Sequence, residues 1–129
     1  MAAPKNGKRV LAIDDDRLAR DVYRTLLEAA GFEVVSASEG NEGLNLFRKS
    51  KFDCVILDIF MPGMSGLDLI EELDPENSKV PIVAVSGASD HTGTNPLHLA
   101  ITLGAARTLT KDFEHEDLVK AVKELTGVA

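Results

Sequence analysis

The chain has 129 residues, 44% of them hydrophobic and 27% charged, with 14 Lys+Arg against 21 Asp+Glu and a formal net charge of −7. That is the length of one ordinary domain and the composition of a globular protein, enough to bury roughly two-thirds of the unfolded surface without staples. The acidic balance argues against direct nucleic-acid binding and against an anionic membrane surface, since both need a basic footprint. A single cysteine, Cys54, excludes an internal disulfide and points to a reducing, cytoplasmic setting. The solid apolar runs at 10–13, 54–57 and 82–85 are far shorter than the roughly 20 residues a membrane span needs, so no membrane insertion is expected. Residues 1–7 carry charge but no apolar h-region, and read as a disordered lead-in rather than a secretory signal.

In chain order, short aliphatic runs at 9–13, 32–37, 52–57, 81–85 and 107–109 alternate with stretches of helical spacing. Leu18, Val22, Leu26 and Ala29 share one helix face, as do Leu44 and Phe47, then Leu67, Ile70 and Leu73, and finally Leu118, Val122 and Leu125. Gly31 stops the first helix. Glu114, Glu116 and Asp117 open the last, with Lys120 and Lys123 toward its end, as the helix dipole prefers. Leu97, Ala100, Ile101 and Leu103 only partly define a face for a weak fourth helix. Five βα units call for a parallel sheet covered on both faces. The first, third and fourth runs are nearly all apolar and suit the centre; Glu33 and Ser36 in the second, and Arg107, Thr108 and Thr110 around the fifth, suit edges. This predicts an α/β, flavodoxin-like (βα)5 doubly wound sheet of strand order 2-1-3-4-5, with its crevice outside the carboxyl ends of strands one and three.

Strand one runs into Asp14-Asp15-Asp16 and strand three into Asp58. Adjacent parallel strands bring Asp14, Asp15 and Asp58 to one rim, where unpaired carboxylates repel and call for a cation. Hard oxygen donors at a partly solvated site suit Mg²⁺. Asp16 is better placed to cap the first helix. Strand four leads to Ser86-Gly87 and strand five to Thr110-Lys111, which adds a hydroxyl and an ammonium suited to a phosphoryl oxygen. A turn role for Ser86 and a surface ion pair for Lys111 are the plainer alternatives.

The runs 10–16, 55–66, 85–87, 103–105 and 109–111, in that order and spacing, resemble the receiver domain of two-component response regulators, over about residues 8 to 126. The receiver is assigned to residues 8–129. The resemblance implies that Asp58 is the phospho-acceptor, attacking a phosphohistidine of a sensor histidine kinase or histidine phosphotransfer protein to form an aspartyl phosphate. It implies that Asp15, Asp58 and the backbone carbonyl of Phe60 bind Mg²⁺ directly and Asp14 through water. Ser86 and Lys111 would each hold a phosphoryl oxygen, and the new charge would shift a population of loop and helix arrangements. The chain is then a phosphoprotein of phosphorelay signal transduction, and no enzyme beyond its own phosphorylation and dephosphorylation. Because it stops at Ala129, the expectation is a single-domain regulator that relays the phosphoryl group or switches binding of a downstream protein. Its output face would lie around the fourth helix, fifth strand and fifth helix.

Three departures from the family pattern mark positions that modulate the site. Thr108 stands where an aromatic switch is usual, and Asp112 stands where a proline usually follows the lysine across a cis bond; a cis non-proline bond costs roughly 2.5–4 kcal/mol. The segment from Ala88 to Pro96 is longer than usual and reads as an extended loop. Phe60, Met61 and Met64 border the site as packing residues, and Phe60 is also placed to shade Asp58 from water. His91, His98 and His115 lack metal-ligand spacing. Cys54 reads as an inert core thiol, and Gly63 and Gly66 shape the turn after Asp58 rather than a nucleotide fingerprint. The alternatives are a pseudo-receiver that binds protein without a phosphate switch, and the excised receiver of a longer regulator. A Mg²⁺-dependent hydrolase using the same carboxylates would need a second substrate pocket that nothing in the sequence supplies.

Overall fold

The apolar runs form five strands: β1 (Arg9–Ile13), β2 (Glu33–Ala37), β3 (Cys54–Asp58), β4 (Ile82–Ser86) and β5 (Arg107–Thr110). The structure, a computed structural model, describes residues 5–87 and 96–129. The strands pair in parallel in the order β2-β1-β3-β4-β5, as the polar content of the edge runs predicts. β3 and β4 are buried along their whole length and β1 nearly so, whereas β5 has no buried residue.

The helices are α1 (Arg17–Ala29), α2 (Gly40–Lys49), α3 (Gly66–Leu73), α4 (Pro75–Ser78), α5 (Pro96–Leu103) and α6 (His115–Thr126). Alternate strand residues point to opposite faces, which splits the core in two. Leu11, Ile13, Val55, Leu57 and Ile82 meet Leu44, Leu69, Ile70 and Ala100 from α2, α3 and α5. Val10, Ala12, Cys54, Ile56, Val83 and Val85 meet Tyr23, Leu27, Leu118 and Val122 from α1 and α6. Removing water from such side chains contributes roughly 1.5–3 kcal/mol each, so both faces of the sheet are held.

Two local features differ from the periodic reading. On α1, Leu18 is 74% and Val22 38% exposed, while Tyr23 and Leu27 are buried. Helical spacing fixes which residues share a face but not which face meets the sheet; Tyr23 and Leu27 also step by four, and they carry the larger apolar surface inward. Second, a single-turn helix, α4, follows α3, with Pro75 at its start and Asp74 in the left-handed region at φ +50. The weak predicted fourth helix is therefore α5, and its pattern is resolved by Ala100 alone being fully buried, with Leu97 and Leu103 packed beside it. Ile101 is exposed.

Local signals position the carboxyl rim. Asp16 caps α1, its side chain accepting the Leu18 N–H at 3.1 Å, a contact of about 1 kcal/mol. Gly31, at φ +97, closes the same helix, and its N–H donates to the Glu28 carbonyl at 3.0 Å. Gly66 starts α3 hard against β3: a Cβ there would collide with the Asp58 carbonyl oxygen, and its N–H donates to the Ile59 carbonyl at 2.8 Å. The turn after Asp58 is thus shaped by Gly63, at φ +79, and Gly66, as the sequence predicts. No helix among the described residues is long and apolar enough to cross a membrane.

Candidate functional site at the carboxyl ends of the strands

Asp14 follows β1 and is fully buried; Asp58 is the last residue of β3 and nearly so; Asp15 is exposed. One carboxylate oxygen from each lies within 4.8 Å of the others. The Lys111 ammonium sits 3.3 Å from the Asp14 carboxylate and 3.3 Å from Asp58 Oδ2. Asp58 Oδ1 accepts the Phe60 N–H at 3.2 Å. Ser86 is buried at the end of β4, opposite Thr110. The Lys111 N–H donates to the Ser86 carbonyl at 3.0 Å, which ties the lysine backbone to that strand end. Gly87 leaves room for the lysine stem, since a Cβ there would stand 3.1 Å from Lys111 Cδ.

The electrostatics follow from burial. Loss of solvent, then the neighbouring Asp14 charge, pushes the Asp58 carboxyl up to about 6, against the opposing pull of Lys111 and the Phe60 N–H. Burial works to lower the Lys111 ammonium, but Asp14 and Asp58 outweigh it and the net shift is upward. Three carboxylates face one ammonium, so the pocket keeps an excess of negative charge. Hard oxygen donors, one of them open to solvent, are a donor set that fits Mg²⁺, which takes one or two carboxylates and retains several waters. Asp15 is the member open to solvent, while Asp58 is nearly buried, with Oδ1 on the Phe60 N–H and Oδ2 on Lys111. Asp14 is more committed: Oδ1 accepts the Asp16 N–H and Oδ2 the Tyr23 hydroxyl, both at 2.9 Å.

A family model described as the response regulator receiver domain matches residues 10–123. The chain belongs to this family. A probable transcriptional regulatory protein of Picosynechococcus is 34% identical to it over 124 residues, which cover 91% of this chain and 48% of the relative. The sensor protein GacS of Pseudomonas syringae is 33% identical over 126 residues, covering 94% of this chain and 14% of that protein. This chain spans about half the length of several curated regulators it matches. A CheY-like receiver domain protein of Methanospirillum hungatei superposes with a TM-score of 0.84 at 28% identity, covering 93% of this chain and 94% of the other.

As a receiver, the chain has its departures resolved locally. No peptide bond among the described residues is cis, yet Lys111 still reaches both acids. Asp112 does not draw the ammonium away; its carboxylate accepts the Thr110 hydroxyl in a short hydrogen bond. Thr108 is half-buried on β5, paired with Ala84, and Ala88 lies outside the described residues, as does the rest of the predicted loop up to residue 95. Phe60 is 51% exposed, Met61 is buried and Met64 half-buried against the core. Burial pushes the Cys54 thiol up to about 12, which keeps it inert.

Two residues at the receiver's acid pocket escape the sequence reading. Arg20 Nη1 donates to the Asp14 carbonyl at 2.7 Å, and Tyr23 donates its hydroxyl to the Asp14 carboxylate. Tyr23 was open to detection as a tyrosine on an amphipathic helix, because a tyrosine on the buried face needs a partner for its hydroxyl.

Proposed function

We propose that this receiver accepts a phosphoryl group on Asp58 from the phosphohistidine of a sensor histidine kinase or phosphotransfer protein, with Mg²⁺ bound at Asp15, Asp58 and the Phe60 carbonyl, and Asp14 assisting through water. The observation that carries the reading is the Lys111 ammonium 3.3 Å from a buried carboxylate, Asp58, that shares its rim with Asp14 and Asp15. An Asp58 oxygen attacks phosphorus, the N–P bond of the donor breaks, and the imidazole leaves with the bonding pair; the product is an acyl phosphate. Bound Mg²⁺ supplies charge neutralisation for the transferring group. Asp58 is held for attack by the Phe60 N–H on its other oxygen. Lys111 pairs with a phosphoryl oxygen in place of the carboxylate it now holds, and the Ser86 hydroxyl donates to another. The added charge at this rim biases the arrangement of the surrounding loops and helices, and so the binding of a downstream protein. A cytoplasmic setting belongs to the same reading.

Exposure to acetyl phosphate with Mg²⁺, followed by intact mass measurement, tests it. One phosphoryl adduct is expected in the unmodified chain and none in Asp58→Asn. A folded, Mg²⁺-loaded chain that takes up no phosphoryl group overturns the reading in favour of a protein-binding module without a phosphate switch.

A further inference from the structure

Tyr23 lies on α1, which also meets the site through its Asp16 cap and through Arg20, and it is all but inaccessible to solvent. Its hydroxyl donates to Asp14 Oδ2 at 2.9 Å. The ring is held from the other side by Phe113, with centroids 6.4 Å apart and planes at 24°. Phe113 in turn belongs to the turn that carries Lys111, its N–H donating to the Thr110 carbonyl at 3.0 Å. Asp14 is itself fully buried, and every contact fixes it: the Asp16 N–H on Oδ1, Lys111 at 3.3 Å, Arg20 on its carbonyl, and its own N–H on the Ala37 carbonyl at 3.1 Å. The phenol, at 2.9 Å, and the Lys111 ammonium, at 3.3 Å, share Oδ2.

We propose that Tyr23 is a positioning residue for the metal site, holding the Asp14 carboxylate in the orientation from which it serves a Mg²⁺ ion at the rim. Without the phenol, the Lys111 ammonium is left as the partner of this buried oxygen and draws on it unopposed. Losing the phenol therefore turns Asp14 toward Lys111 and away from the metal. Partners that orient metal-binding carboxylates matter in the same way elsewhere, and their removal costs roughly 10–100-fold in affinity. The Phe113 stack makes the arrangement stiff, because the ring cannot swing without displacing the turn beside Lys111. This inference rests on the proposed Mg²⁺ site.

The chain has one tyrosine and no tryptophan, so the near-ultraviolet phenol band reports Tyr23 alone. The test titrates the full chain with Mg²⁺ and reads calorimetric heat and the tyrosine absorbance together, then repeats the calorimetry on Tyr23→Phe, which keeps the ring and its stack. The expected result is a tyrosine difference band that reaches half its amplitude at the calorimetric midpoint, and a Mg²⁺ affinity roughly tenfold weaker in Tyr23→Phe, at the lower end of the range for such partners. A still band at saturating Mg²⁺, or an affinity unchanged by Tyr23→Phe, overturns the role of Tyr23 and leaves the metal site standing. If Tyr23→Phe does not fold, the band of the unmodified chain decides alone. If calorimetry finds no Mg²⁺ binding by the unmodified chain, the proposed site fails, and this inference with it.

Discussion

The Lys111 ammonium stands 3.3 Å from Asp58 although the residue after it is Asp112 rather than proline. The reach is set by two contacts: the Lys111 N–H on the Ser86 carbonyl, and the Thr110 hydroxyl, which occupies Asp112. Asp112→Ala is therefore expected to leave Mg²⁺ binding and phosphoryl uptake close to the unmodified chain. A large rise in uptake on this substitution, measured by intact mass over time, would mean that Asp112 does compete for the ammonium.

Lys111→Ala should have two opposite effects. Without metal, two buried carboxylates lose their cation, and removal of one partner from a buried pair destabilises; with Lys111 partly exposed, about 1–2 kcal/mol is expected, below the fully buried case. Mg²⁺ should bind more tightly, since a positive neighbour is gone, and should restore the lost stability by binding the folded state. Urea melts with and without Mg²⁺ check both signs.

The raised Asp58 carboxyl sets a pH dependence in metal-free protein. Its folded value, about 6, lies above the ordinary 3.8, so the folded state binds the proton more tightly than the unfolded one. The stability this gives is complete below pH about 4 and is lost as pH rises through about 6. Asp58→Asn should thus stabilise the metal-free chain at pH 7 by roughly 2–3 kcal/mol, and the gain should vanish below pH about 4. Thermal melts of both proteins in chelator across that range measure it. A gain that persists at low pH would contradict the assignment to burial and Asp14.

The three acids after β1 should separate by role. Asp15→Ala should abolish Mg²⁺ binding, because its oxygen is the accessible one of the trio. Asp16→Ala should leave the metal in place and cost about 1 kcal/mol of stability through the lost cap. Equal losses of Mg²⁺ affinity in the two variants, read by calorimetry, would contradict the division.

The orientation of α1 is also open to a direct check. Leu27→Ala should cost about 2–4 kcal/mol, as a buried leucine does, whereas Leu18→Ser should stay within about 0.5 kcal/mol. Comparable losses in urea melts would place Leu18 in the core.

The strand order was legible because edge and central strands differ in polarity: Glu33 and Arg107 cannot lie where Ile56 and Val83 lie. Asp14, Asp15, Asp58, Ser86 and Lys111 were legible because the carboxyl ends of parallel strands meet at one rim, so residues from four separate places in the sequence converge by topology. The facing of α1 was not legible, since Leu18-Val22 and Tyr23-Leu27 have the same period and only packing against the sheet chooses between them. The contact from Tyr23 to Asp14 depends on that choice, and was hidden with it. The partner taken by Asp112 was hidden for a different reason: Thr110 and Lys111 offer it donors at nearly the same place in the chain, and only the fold directs the lysine inward.

Identification of the phosphorylated residue tests the central claim most directly. After acetyl phosphate treatment with Mg²⁺, borohydride reduces an acyl phosphate to the alcohol, leaving homoserine in place of the aspartate that carried it, and peptide mass spectrometry locates the change. Homoserine is expected at position 58 and at no other aspartate. Homoserine at position 14 or 15, or a phosphoryl adduct on a residue that borohydride does not convert, would contradict it.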